Sequence, residues 1–319
     1  MQKPKLAFID DELRILRSLK MHFRQTHDVF ITTDPAELMD YVVANDVQVV
    51  ISDQRMPDKQ GTEVLREVRE LSPNTIRILL TGYADLNAVI DSVNDGEIYR
   101  YITKPWQNDE LKKIINKATE IAHQTKDIDQ QTIEFASISG KRHILVLDDD
   151  ENVYMQIKSN FNSAYTVSWA NSLEQASELL QRKKFGVTIA DVTLNHENIA
   201  PIIYALKNIQ PDLMVLMLTE FKDAHMVIDL INKGQIFRCL PRPTNLTIMG
   251  ISLDRAYHHH EKMIQQPILA ARHHVDEVPE SEAFSFSAKL KGFLSNFKSW
   301  RKGSANKDSK KQSLKQMNN

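Results

Sequence analysis

Two sets of acids, hydroxyls and cations recur along this chain at one fixed offset, and each member closes or follows a short apolar run. The first set is Asp10-Asp11, Asp53, Thr81 and Lys104; the second is Asp148-Asp149, Asp191, Thr219 and Arg242. Every member stands 138 residues from its partner (10 to 148, 53 to 191, 81 to 219, 104 to 242). A period of that length is a whole domain, not a solenoid unit, and 319 residues hold two of them. The constant offset means that the elements and loops between these residues have kept their lengths in both halves.

The apolar runs are short and nearly continuous, as strands buried on both faces require. They are Leu6 to Ile9 before the acid pair, Val47 to Ser52 before Asp53, Ile76 to Leu80 before Thr81, and Tyr99 to Thr103 before Lys104-Pro105. Ile144 to Leu147, Phe185 to Ala190, Leu213 to Leu218 and Ile236 to Leu240 repeat the order. Helical spacing lies between them: Leu13, Leu16, Leu19, Met21 and Phe23, then Thr62 to Leu71, then Leu86 to Val93. Asp109 to about Phe135 reads as one long helix running into a connector, and Asn245 to about Gln266 as its counterpart. Strands alternating with helices predict a parallel sheet covered on both faces, with ligands at the carboxyl ends of the strands. The expected organisation is a first domain over 1–125, a helical connector over 126–141, a second domain over 142–260, a linker over 261–282, and a basic helix and tail over 283–319.

The site residues all fall at those carboxyl ends. Three carboxylates in one cleft repel one another unless a cation joins them. The donors are hard oxygens, so Mg²⁺ is the expected occupant. Lys104 offers a mobile point charge, Thr81 a hydroxyl, and Asp53 a carboxylate able to act as a nucleophile toward phosphorus.

An acid pair, a lone strand-end Asp, a strand-end Thr and a Lys-Pro, in that order, closely resemble the receiver domain of two-component response regulators. The resemblance covers roughly 4–125 and 142–260. It implies two doubly wound, five-stranded, flavodoxin-like (CheY-like) α/β domains. It implies Asp53 as phospho-acceptor, Asp10, Asp11 and Asp53 as the metal site, Thr81 as switch hydroxyl, Tyr101 as switch aromatic and Lys104 as the phosphate-contacting lysine. Pro57 and Gly61 fit the loop after the acceptor. The implied partners are a histidine kinase or phosphotransfer protein and a downstream protein target, with a homodimer also open. The stretch from Asn94 to Trp106 looks like receivers often fused to cyclic-dinucleotide hydrolases.

The second copy keeps Asp148, Asp149 and Asp191 as its metal set, Asp191 as a second acceptor candidate, and Thr219. It departs elsewhere. Arg242 replaces the lysine, Cys239 the aromatic, Asn195 and Ile199 the proline and glycine, and Glu220 follows Thr219 where the first copy has Gly82. Two readings stay open for it: a working receiver, or one that no longer switches.

The lone cysteine, Cys239, cannot form an internal disulfide, and Leu6 to Ile9 is too short for a signal peptide or a span. The expectation is a soluble cytoplasmic protein with a peripheral contact at the inner membrane face. That contact comes from the end of the chain. Nine Lys/Arg against one Asp follow Ala283, and Phe286, Leu290, Phe293, Phe297 and Trp300 recur among them at helical intervals. Such a segment suits an anionic membrane or a partner protein. The histidines at 258–260 and 273–274 cannot all face one ion on a helix. No GG-D/E-EF, EAL or HD…GYP string follows the second half, so the expected output is by protein contact and not enzymatic. Two alternatives compete: a nucleic-acid-binding regulator using the basic tail, for which one helix is too little, and a metal-dependent phosphohydrolase.

Overall fold

The computed structural model describes residues 3–82, 98–124, 142–219, 228, 230–232, 236–267 and 269. The expected helix at 86–93, the connector at 126–141 and the basic segment at 283–319 lie outside the described residues. The chain divides into two compact units, one of residues 1–136 with 221–232, the other of 137–220 with 233–319.

In the first unit β1 (Lys5–Ile9), β2 (Asp28–Thr32), β3 (Val49–Asp53), β4 (Ile76–Thr81) and β5 (Arg100–Thr103) form one sheet in the order β2-β1-β3-β4-β5. Every pairing is parallel. Alternate residues such as Leu6, Phe8, Val49, Ile51, Ile78 and Leu80 join one core with α1 (Leu13–Phe23) and α4 (Asn108–Gln124). Ala7, Val50 and Leu79 point the other way and are as deeply buried, on the side where α2 (Pro35–Ala44) and α3 (Gly61–Leu71) pack against β1, β3 and β4. Both faces are therefore covered, which is why the runs read as continuous. The stripe of α1 is narrower than its apolar residues suggest: Leu16, Leu19 and Phe23 are buried, while Leu13 and Met21 are exposed. Only the former three keep the spacing of one helix face.

Helix starts follow local chemistry. The Asp34 side chain accepts from the Ala36 N–H at 2.8 Å, with Pro35 opening α2. Gln60 and Glu63 form a reciprocal capping box on α3.

In the second unit β6 (Arg142–Leu147), β7 (Tyr165–Ala170), β8 (Val187–Asp191), β11 (Met214–Thr219) and β12 (Arg238–Pro241) repeat the topology, in the order β12-β11-β8-β6-β7. Its helices are α5 (Glu151–Phe161), α6 (Leu173–Arg182), α7 (Ala200–Ile209) and α8 (Leu246–Gln265). Helix α8 runs past the boundary expected at residue 260. One insertion of form separates the units: after β8 the chain makes a small hairpin of β9 (Thr193–Leu194) and β10 (Glu197–Asn198). Its tip holds Asn195 and His196 at φ of 52° and 66°, and Asn tolerates that region better than most residues.

Both sheets thus have the doubly wound, five-stranded parallel order in which strand direction of travel reverses beside the first strand. Loops diverge there and leave a crevice at the carboxyl ends.

Candidate functional site: two acidic pockets

In the first pocket Asp10 follows β1, Asp53 ends β3, Thr81 ends β4 and Lys104 follows β5. Asp10, Asp53 and Thr81 are buried, and Asp11 is exposed at the mouth. One oxygen from each of Asp10, Asp11 and Asp53 falls within 4.8 Å of the others. Lys104 Nζ bridges two of them, 2.5 Å from Asp53 Oδ1 and 3.2 Å from Asp10 Oδ2. The other carboxylate oxygens are aimed by the backbone: the Glu12 N–H donates to Asp10 Oδ1 at 2.8 Å, and the Arg55 N–H to Asp53 Oδ2 at 3.0 Å. Burial raises the Asp10 carboxyl above its usual range, against the pull of the Glu12 N–H and Lys104. Burial lowers the Lys104 ammonium, but hydrogen bonding to Asp53 and the charge of Asp10 more than offset it and leave it raised. The lysine stays charged, as a counter-ion to two acids must. Tyr101 is buried in β5 at 1% exposure.

The donor set suits a hard divalent cation: oxygens only, two buried and one open to water. The receiver family holds Mg²⁺ at an acidic pocket of this kind, and this cluster of aspartates fits that role.

The second pocket is built differently from matching parts. Asp148 follows β6, Asp191 ends β8, Thr219 ends β11 and Arg242 follows β12. Arg242 Nη2 contacts Asp148 Oδ2 and lies 3.3 Å from Asp191 Oδ2. The planar guanidinium spans both acids where Lys104 places a point charge. Among the described residues no second trio of acids closes to the spacing of the first, so the expected metal set of Asp148, Asp149 and Asp191 is not drawn together. The reason is local. Asp149 Oδ2 accepts the Asn195 N–H at 2.8 Å, and Asp191 Oδ1 accepts the Val192 N–H at 2.5 Å. The β9–β10 hairpin therefore turns one acid toward itself. The Trp169 indole donates to Asp148 O at 2.8 Å and fixes the strand end behind the pocket. Sequence singles out neither Asn195 nor Trp169 as a partner of these acids, because one acts through its backbone and the other from a strand with no strong apolar run.

Burial pushes the Asp148 carboxyl up to about 6, opposed by the Asp150 N–H and Arg242. Burial also raises Asp191. Between the unfolded value near 4 and about 6, the folded state keeps a proton that the unfolded chain has lost. Stability from this group is present in full below pH ~4 and is lost as pH rises through ~6, about 3 kcal/mol in all. Asp148→Asn, neutral throughout, is expected to flatten the pH dependence of the second unit's urea midpoint between pH 4.5 and 7. An equal fall in the variant would refute the assignment.

Response regulator receiver domains match residues 6–116 and 144–248, the two segments that carry the two sheets. The hydrogenase transcriptional regulatory protein HoxA of Bradyrhizobium diazoefficiens is 30% identical over 135 residues, covering 42% of this chain and 28% of HoxA. The aerobic respiration control protein ArcA of Escherichia coli is 36% identical over 114 residues, covering 35% of this chain and 46% of ArcA. The chain therefore spans less than half of either relative. Among solved structures, the signal receiver domain of an HD domain-containing protein from Pseudomonas fluorescens Pf-5 is 30% identical. It covers 40% of this chain and 93% of its own, at a TM-score of 0.38. Two matched segments, two sheets of one topology and two strand-end acid sets lead to one conclusion: the chain belongs to the response regulator receiver family, as two receivers in tandem of which the second is divergent.

Proposed function

We propose that this chain works in a two-component phosphorelay, taking a phosphoryl group on Asp53 from a histidine kinase or phosphotransfer protein and passing the signal on through protein contacts. One observation carries the reading: Asp53 ends its strand within 4.8 Å of Asp10 and Asp11 and is bridged to Asp10 by Lys104. In the transfer, an Asp53 carboxylate oxygen attacks phosphorus. The new P–O bond forms as the P–N bond of the donor's phosphohistidine breaks, and the electron pair returns to the imidazole. Bound Mg²⁺, held by Asp10, Asp11 and Asp53, would supply charge neutralisation for the phosphoryl oxygens. Lys104, already between the two buried acids, has only to shift its ammonium to meet the same oxygens. Thr81, at the end of the adjacent strand, offers its hydroxyl, and Tyr101 lies on the next strand beyond it. Moving such a switch from 1:99 to 99:1 takes about 5.5 kcal/mol, a sum that several charge-assisted hydrogen bonds supply. Receiver domains are in general not enzymes, so the chemistry in this reading is gain and loss of phosphate on the chain's own aspartate. The test is phosphotransfer from candidate kinases with Asp53 and Asp191 replaced separately.

The second receiver reads as one whose pocket is neutralised by its own arginine. Arg242 supplies a fixed cation between Asp148 and Asp191, and Asp149 is engaged by the hairpin. Asp191 is then a poor acceptor, and Thr219 has little to respond to.

No helix among the described residues is long and apolar enough to cross a membrane. The basic, aromatic-rich residues 283–302 support a docking role at an anionic surface. Co-sedimentation with anionic vesicles is expected for the full chain and not for a version ending at Gln266. Equal sedimentation of the two would remove the membrane from this reading.

A further inference from the structure

The peptide that follows a strand-end aspartate has one N–H and two places to put it: a carbonyl on the neighbouring strand, or the aspartate's own carboxylate. The two units make opposite choices. In the first, the Gln54 N–H donates to Leu80 O at 2.9 Å, which carries the β3–β4 ladder one residue past Asp53. In the second, the Val192 N–H donates to Asp191 Oδ1 at 2.5 Å. Val192 stands 138 residues after Gln54.

The side chains at these two positions account for the difference. Gln54 is buried, and each of its polar atoms is bonded. Its O accepts the Gly61 N–H at 3.1 Å, its Oε1 accepts the Thr62 N–H at 3.2 Å, and its Nε2 donates to Gln60 Oε1 at 3.1 Å. Gly61 and Thr62 open α3, where N–H groups have no partner within the helix, and Gln60 is its N-cap. Gln54 is thus tied to the helix start through backbone and side chain alike, and its peptide cannot turn without breaking those bonds. Val192 keeps the backbone bond, its O accepting the Ile199 N–H at 2.9 Å, but has no polar side-chain atom. The helix start there is satisfied by Asn198, whose Oδ1 accepts the Ala200 N–H at 2.8 Å. With no side-chain amide to hold it, the Val192 peptide closes on the carboxylate beside it.

We propose that Gln54 is a positioning residue for phosphoryl transfer: its side-chain amide holds the Asp53–Gln54 peptide toward β4 and so keeps a fixed backbone donor off Asp53 Oδ1. The inference rests on Asp53 as the phosphoryl acceptor. Asp53 Oδ1 lies 2.5 Å from Lys104 Nζ, on a side chain that can move off with the phosphoryl oxygens. A peptide N–H cannot follow them. An oxygen held by such a donor is engaged in a charge-assisted bond and must break it to attack phosphorus. The second unit shows that state: Asp191 Oδ1 is held by Val192, and Oδ2 lies 3.3 Å from Arg242. The valine thus adds to Arg242 in making Asp191 the poorer acceptor.

Gln54→Met keeps the length and apolar stem of the side chain and removes its amide. In the full chain with saturating Mg²⁺, the rate of labelling at Asp53 by phosphoramidate, whose P–N bond breaks to release ammonia, is expected to fall about tenfold, the scale of one hydrogen bond to a charged group. The first unit's urea midpoint checks that the variant is folded. Scalar coupling across the hydrogen bond reports the peptide directly. The Gln54 amide nitrogen should couple to the Leu80 carbonyl carbon in wild type, and in the variant the residue 54 nitrogen should couple to the Asp53 carboxyl carbon. Wild type alone, free of any folding defect, should also show coupling from the Val192 nitrogen to the Asp191 carboxyl carbon. Three results overturn the proposal: a wild-type coupling from Gln54 to the Asp53 carboxyl, a Leu80 coupling that persists in Gln54→Met, or labelling at the wild-type rate once that coupling is lost. Failure of the acceptor reading looks different: the wild-type chain takes no label at Asp53 while both its couplings stand, and Gln54 then has nothing to position.

Discussion

Asp53→Asn in the full chain is expected to remove nearly all acid-labile phosphate incorporation from a cognate kinase, by about a hundredfold or more, the scale on which covalent nucleophiles matter. An amide oxygen does not attack phosphorus as a carboxylate does, and the substitution would also deprive Lys104 of its nearer counter-charge, 2.5 Å away. The fold should survive, because the amide is nearly isosteric with the acid and its oxygen can still accept from the Arg55 N–H that now bonds Asp53. Asp191→Asn should leave most of the label in place. The small remainder in Asp53→Asn reports on the second pocket. There, Arg242→Lys is expected to raise labelling at Asp191, since a flexible ammonium can leave Asp148 more readily than a guanidinium spanning both acids. Undiminished labelling of Asp53→Asn with Asp191 also replaced would sink the assignment of the acceptor. No response to Arg242→Lys would mean that the arginine is not what holds the second pocket.

Gly61→Ala is expected to destabilise the first unit by about 3 kcal/mol, lowering its melting temperature by roughly 10 °C. A Cβ at Gly61 would stand 1.9 Å from Asp53 O, 2.8 Å from its carbonyl carbon and 2.9 Å from Leu79 Cδ1. Two of those atoms are backbone, so no rotamer change relieves the overlap. Relief must come from moving the peptide of the acceptor itself, and phosphate incorporation should fall with stability. The second unit shows the alternative solution. Ile199 occupies the matching place and is fully buried. It makes the same backbone bond, Ile199 N–H to Val192 O at 2.9 Å, as Gly61 N–H makes to Gln54 O at 3.1 Å. The β9–β10 hairpin between them provides the space. An unchanged first-unit midpoint in Gly61→Ala would refute the steric argument.

The parts of this protein that are legible in sequence share one property: their signal is local. β1, β3, β4 and β5 are buried on both faces, so their residues form continuous apolar runs. The acids, threonines and cations are placed simply by following those runs. Strands β2 and β7 lack that signal because they lie at sheet edges and are only partly buried, with Asp28-Val29-Phe30-Ile31-Thr32 and Tyr165-Thr166-Val167-Ser168-Trp169-Ala170 mixing polar and apolar residues. Leu13 and Met21 belong by spacing to a core stripe they do not join, because composition alone does not say which side of a helix meets the sheet.

By itself the sequence indicated two equal α/β domains, the acids, hydroxyls and cations at their strand ends, and the exchange of Lys104 for Arg242 among the departures of the second copy. A strand-end position fixes which chain segments meet, since parallel sheets bring their carboxyl ends together. Tertiary structure alone decided how those residues share charge. Whether three acids close around a cation depends on differences of about an ångström or two, set in the first pocket by Lys104 and in the second by Arg242 and the Asn195 N–H.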